Sequence, residues 1–137
     1  MHGRIMGIDY GKKRVGVAAT DPLQIIVSPV DTVETDSFED YLAAYIQAEP
    51  VVKIVFGFPY RSGNVVSENG KAIEKVTAHL RKRYPNIPIE LVDESYTSRD
   101  AMQVLIQSGV KQKKRRDKKL LDKMSAVLIL QKFLGHI

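Results

Sequence analysis

Asp9 stands near the end of an apolar run, RIMGIDY over residues 4–10, where a core strand calls for another apolar side chain. An unpaired carboxylate buried there is costly, so it needs a cation, a partner or exposure at the strand's end. Asp93 and Glu94 close a later apolar run in the same way. Asp122 lies near the start of an apolar C-terminal stretch, one helical turn before the small residues Ser125 and Ala126. In open α/β sheets, sites form outside the strand ends, so Asp9, Glu94 and Asp122 can converge. Three carboxylates gathered without a cation raise one another's pKa. Mg²⁺ or Mn²⁺, which prefer oxygen ligands, relieve that repulsion. A carboxylate cluster holding such ions is the apparatus of in-line phosphodiester hydrolysis, activating a water and neutralising charge on the leaving oxygen.

Each acid has a plainer reading beside this one. Asp before Gly suits a turn, as in Asp9-Tyr10-Gly11. Asp93 and Glu94 complement the dipole of a helix starting at Thr97, and Asp122 serves as a first-turn acid. The cations are similarly open. Thr97 and Ser98 at a helix N-terminus offer donors to a phosphate, or Thr97 is simply a cap. Lys12, Lys13 and Arg14 follow Asp9 and would put positive charge at the lip of a metal site. Arg61 lies in a polar loop, and seven of the nine residues from Lys111 to Lys119 are basic. That run contains Lys113, Lys114, Arg115, Arg116, Lys118 and Lys119.

These residues need a scaffold. Residues 4–10 and 14–20 are short, rich in Ile and Val, and joined by a turn at Gly11-Lys12-Lys13, which predicts a β-hairpin. Residues 24–34 predict a third strand, and Pro29 within it marks an edge. Ser37 to Asp40 has capping-box form before a helical apolar stripe that Pro50 ends. VVKIVFG over residues 51–57 is apolar and β-branched, as in a parallel strand buried on both faces. Ser67 predicts the cap of a second helix reaching about Tyr84. Residues 87–92 predict a fifth strand, and Thr97-x-x-Asp100 opens a third helix that ends at Gly109. A last helix, 118–134, is apolar almost all round beyond Met124 and should be buried. The order β-β-β-α-β-α-β-α-α predicts a mixed five-stranded sheet with helices on its faces. No repeat or linker divides residues 1–137, which fit a single domain.

Composition narrows the function. Hydrophobic residues are 44% and charged residues 27%, as in a folded globular domain and not a disordered chain. No apolar run approaches the ~18 residues of a membrane span, and residues 1–4 lead straight into a strand, so no leader is expected. Cysteine is absent, which removes disulfides and thiolate metal sites and fits a cytoplasmic location. The three histidines lack ligand spacing, which argues against zinc. The net charge is +5 and the pI about 9.4. Between Val15 and Val52 there is no Lys or Arg but seven acids, so charge is segregated along the chain. A basic patch opposite an acidic one is the footprint of a polyanion partner, and a nucleic acid is expected.

Four ordered segments then carry a resemblance: GIDYGKKRVGVA, VFGFP, DESYTS and LDKMSAVLILQKFL. Over essentially the whole chain they closely resemble the YqgF/RuvX family, Holliday junction resolvases also described as nucleases maturing the precursor of the small-subunit ribosomal RNA. The resemblance implies an RNase H-like fold and a metal-dependent nuclease of the bacterial cytoplasm. It assigns Asp9, Glu94 and Asp122 the roles of catalytic metal ligands. One position departs from the family: Ser95 stands where an Arg usually follows the Asp-Glu pair, and Arg99 or the basic run is left to supply that charge. A non-catalytic, nucleic-acid-binding ribosome-assembly factor is the alternative. A sugar-kinase-like ATPase, which shares the Gly-Ile-Asp-x-Gly pattern, would need a second domain. Symmetric cleavage of a junction needs two active sites and so a dimer; a monomer or weak homodimer is expected here.

Overall fold

The computed structural model describes residues 2–59, 67–93, 103 and 118–137. Five strands form one sheet: β1 (Arg4–Tyr10), β2 (Arg14–Thr20), β3 (Val27–Glu34), β4 (Val51–Phe58) and β5 (Ile89–Asp93). Their spatial order is β3-β2-β1-β4-β5. β1 and β2 pair antiparallel through the hairpin, and β2 pairs antiparallel with β3. β4 lies parallel to β1, and β5 parallel to β4. The sheet is therefore mixed, with β1 in the middle and the C-terminal ends of β1, β4 and β5 along one rim.

Period-two alternation splits the strands between two cores. Met6, Ile8, Val15, Val17, Ile54 and Phe56 point to one face and are buried against Phe38 and Leu42 of α1 (Phe38–Ala48) and Ile73, Val76 and Leu80 of α2 (Glu68–Arg83). Ile5, Ala18 and Val55 point to the other, against Ala126, Val127, Ile129 and Leu130 of α3 (Lys118–Leu134). Each fully buried side chain of this size contributes about 1.5–3 kcal/mol. Helices thus cover both faces, as the strand and helix order predicts.

The element ends show why the sequence patterns worked and where they did not. Ser67 has the extended backbone of an N-cap, and its hydroxyl accepts from the Gly70 N–H at 3.0 Å. Arg81, Lys82 and Arg83 close α2 with charges that suit the helix dipole. Ser67→Ala should lower the stability of the protein by about 1 kcal/mol, measured as a shift in the urea midpoint without a change in slope. Ser37 is different: it makes no side-chain cap, because a short 3₁₀ turn at Thr35–Ser37 leaves it with a helical backbone. The expected capping box is not used. β3 begins at Val27 and not at Gln24. Asp21 accepts the N–H groups of Leu23, Ile25 and Ile26, and Gln24 adopts φ 61°, which turns the chain before pairing can start. Those bonds hold the Asp21 carboxyl below the usual carboxylate range, the Ile26 N–H contributing most. β3 is an edge strand, as Pro29 requires. β5 starts at Ile89, after Pro88, and not at residue 87. Of the third helix expected from Thr97 to Gly109, only Gln103 is among the described residues, and it is helical.

Candidate active site

Asp9 lies on β1, the central strand, one residue from its end, and is only partly buried. In the hairpin it stands directly opposite Gly16 of β2. Directly opposed residues of an antiparallel pair point to the same face. For Gly16 that face is the one covered by α3, since a Cβ built there would collide with the Asp122 carbonyl oxygen and lie 3.2 Å from the Asp122 Cβ. Asp9 and Asp122 are therefore brought to one face of the sheet, with a glycine between them that lets the helix backbone rest on the strand.

The close approach continues along the helix. A Cβ at Gly7, two residues before Asp9, would lie 2.5 Å from Leu130 Cγ and 2.9 Å from the Ala126 carbonyl. Ser125 and Ala126 are both buried, as small residues at a tight helix–sheet crossing must be. Ser125 Oγ has no hydrogen-bond partner among the described residues. At the start of α3, the Lys119 carbonyl accepts from Thr32 Oγ1 of β3 at 2.6 Å. Asp122 is thus held where it is by backbone contacts on β2 and a side-chain bond from β3.

Arg14 belongs to the same group. It is the first residue of β2, two before Gly16, and so shares its face. Its Nε–H donates to Asp122 Oδ2 at 2.9 Å. Sequence reading put Arg14 among the phosphate-binding cations and missed this pairing. The only legible signal was its i−2 spacing from Gly16. Lys12 and Lys13 are exposed in the turn, and Lys118 and Lys119 are exposed at the start of α3. Lys12, Lys13, Arg14 and Lys119 line a groove of about 500 Å³ together with Glu34 and Asp36.

Tyr10 points the other way, into the α1–α2 core, edge-on to Phe38 with ring centroids 5.7 Å apart. Burial pushes its phenol above the ordinary value, and Glu39 and Asp36 push it further. It stays protonated and is no base for this site.

Glu94, Arg61, Thr97, Ser98, Arg99, Lys113, Lys114, Arg115 and Arg116 lie outside the described residues. Among the described residues no group of three His, Cys, Asp or Glu side chains is gathered that could hold a metal ion. Asp9 and Asp122 fit a hard divalent cation in donor type, being carboxylates on one face. No helix is long and apolar enough to cross a membrane among the described residues.

A family model described as RuvX, Holliday junction resolvase, matches residues 3–136. A protein of Phocaeicola vulgatus named "Putative pre-16S rRNA nuclease" is 47% identical over 131 residues, covering 96% of this chain and 94% of the relative. One of the same name from Porphyromonas gingivalis is 46% identical over 134 residues, covering 98% and 97%. Among solved structures, Thermus thermophilus RuvC in complex with a Holliday junction substrate superposes with a TM-score of 0.57 at 13% identity, covering 98% of this chain and 97% of that one. A second structure of that RuvC gives 0.53 at 12% identity. The fold is RNase H-like.

Proposed function

The chain belongs to the RuvX family of Holliday junction resolvases, and on that premise we propose that it is a divalent-metal-dependent endonuclease acting on structured nucleic acid in the cytoplasm. The observation that carries this reading is the crossing of α3 over the β1–β2 hairpin at Gly16, which gathers Asp9 and Asp122 on one face. Asp9, Asp122 and Glu94 are the candidate ligands for Mg²⁺ or Mn²⁺. When bound, such an ion lowers the pKa of an attacking water and neutralises charge on the leaving oxygen.

The chain's own part is positioning. Lys12 and Lys13 are exposed in the hairpin turn that follows β1, and Lys118 and Lys119 are exposed in the first turn of α3, which also carries Asp122 one turn on. Contacts from these lysines to phosphates fix the backbone without reading sequence. Arg61, Thr97, Ser98, Arg99 and the basic run Lys113, Lys114, Arg115 and Arg116 extend the proposed phosphate-binding surface. Replacing Lys12 and Lys13 by Gln should weaken binding for all sequences alike. It should also flatten the plot of log affinity against log salt by roughly 0.7–0.9 for each lysine, measured by fluorescence anisotropy over a salt series.

The names of the relatives point to the precursor of 16S ribosomal RNA, and the family description to Holliday junctions; maturation of the 5′ end of that RNA is the proposed role. The deciding experiment offers both substrates side by side to the purified protein, with Mg²⁺, with Mn²⁺ and with chelator. Metal-dependent cleavage of either one supports the proposal. The second reading, a non-catalytic nucleic-acid-binding ribosome-assembly factor, rests on Ser95, which stands where the family usually carries an Arg. Salt-sensitive binding with no cleavage in any metal would select it. The protein is expected to be a monomer or a weak homodimer.

A further inference from the structure

Arg14 sits at the lip where a phosphate-binding cation is expected, yet its guanidinium is turned inward to a carboxylate of the site. Asp9 and Asp122 are both carboxylates on the α3 face of the hairpin, and Arg14 is the cation beside Asp122. It lies on the α3 face of β2, its Nε–H meets Asp122 Oδ2 at 2.9 Å, and the guanidinium keeps its charge at every working pH. The two side chains remain 31% and 24% exposed, so the pair is screened and exchangeable, not locked into a dry interior.

We propose that Arg14 is a placeholder for the metal: it neutralises Asp122 while no divalent ion is bound and is displaced from that carboxylate when one binds. The proposal rests on the reading of Asp9 and Asp122 as metal ligands. A cation competing for Asp122 must first break a charge-assisted hydrogen bond, so the pair opposes metal loading. The same exchange frees a planar guanidinium, suited to bidentate phosphate recognition, at the rim where the scissile strand would lie. Arg14 is then a positioning residue that couples metal occupancy to substrate binding. Lys12 and Lys13 carry the same charge two residues and one residue away but are exposed in the turn. They supply the control for a plain through-space effect.

The test is a Mg²⁺ titration of the full chain, followed by calorimetry and by the Arg14 Nε–H resonance in ¹⁵N-resolved NMR. Wild type is compared with R14Q, K12Q, K13Q and Asp122→Asn. R14Q is expected to bind Mg²⁺ about tenfold more tightly than wild type, and K12Q and K13Q within about twofold of it. In wild type the Nε–H signal should start in a protected, hydrogen-bonded position and move to the solvent-exposed position as Mg²⁺ saturates. That signal needs no variant, so it decides the matter even where R14Q folds poorly. Saturable Mg²⁺ binding that is lost in Asp122→Asn but leaves the Nε–H signal unmoved overturns the placeholder while the metal reading stands. Equal tightening in R14Q, K12Q and K13Q, with an unmoved signal, overturns it too. Absence of Mg²⁺ binding in both wild type and R14Q overturns the metal reading and the placeholder with it.

Discussion

Asp9→Asn should yield a folded protein that still binds structured RNA but cleaves it roughly a thousandfold more slowly. The size follows from the proposed chemistry. Metal stabilisation of developing charge is worth several kcal/mol, and each ~1.4 kcal/mol is a factor of ten in rate. The fold survives because the β1–β2 ladder at this position is made by backbone groups of Asp9 and Gly16, which the substitution leaves in place. Asn keeps the volume and loses the charge. The measurement is single-turnover cleavage at saturating Mg²⁺, with thermal unfolding and anisotropy as controls. Cleavage by the cleanly purified variant at the wild-type rate would remove Asp9 from the site.

Gly16→Ala attacks the same site without touching a titratable group. The new Cβ would collide with the backbone carbonyl of Asp122, which cannot rotate away as a side-chain tip can. Either β2 or the first turns of α3 must shift. Overpacking of this kind costs typically 1–3 kcal/mol, and the shift acts on the helix segment that carries Asp122 and pairs with Arg14. The expected result is a loss of about 1–3 kcal/mol by urea unfolding together with a collapse of metal-dependent cleavage in the fraction that remains folded. Ala18→Gly, on the same face of the same strand but changed in the opposite sense, is the contrast. It removes a methyl from the α3 core and should lower stability with little effect on cleavage. Unchanged cleavage in Gly16→Ala would mean that the helix crossing does not set the geometry of the carboxylates.

Much of this was legible before any coordinates. The bounds of β1 and β2 follow from two Ile- and Val-rich runs around a Gly-Lys-Lys turn, and those of α3 from an apolar stretch beginning after a basic run. Ser67 announced its helix because serine before a helical stripe satisfies an otherwise open N–H. Ser37 presented the same pattern and failed, because the preceding turn had already fixed its backbone in a helical conformation. The early start assigned to β3 failed for a related reason. Leu23, Ile25 and Ile26 look like strand residues, but one carboxylate, Asp21, gathers their N–H groups into a turn and leaves their side chains exposed. Local competition of this kind is invisible to a count of apolar residues.

The candidate site residues divide along the same line. Asp9 and Asp122 were legible as acids in apolar company, and the small residues Ser125 and Ala126 correctly marked where α3 meets the sheet. The role of Gly16 was not legible, since VGVAA reads as an ordinary small-residue strand until a helix is laid on it. Nor was the partner of Arg14, which stands 108 positions away in the chain. Pair contacts across that separation depend on the sheet order and on the helix crossing, and neither is encoded in local spacing.

That separation has a temporal side. A ribosome adds about 5–20 residues per second, so the hairpin strand bearing Arg14 is made roughly 5–20 s before the helix bearing Asp122. During that interval β1, β2 and β3 can pair locally, but their α3 face has nothing to rest on. Among the described residues, the helix that covers that face is translated near the end. A nascent chain is therefore exposed to aggregation for most of its synthesis. It also lacks, until then, the segment that carries the candidate ligand Asp122.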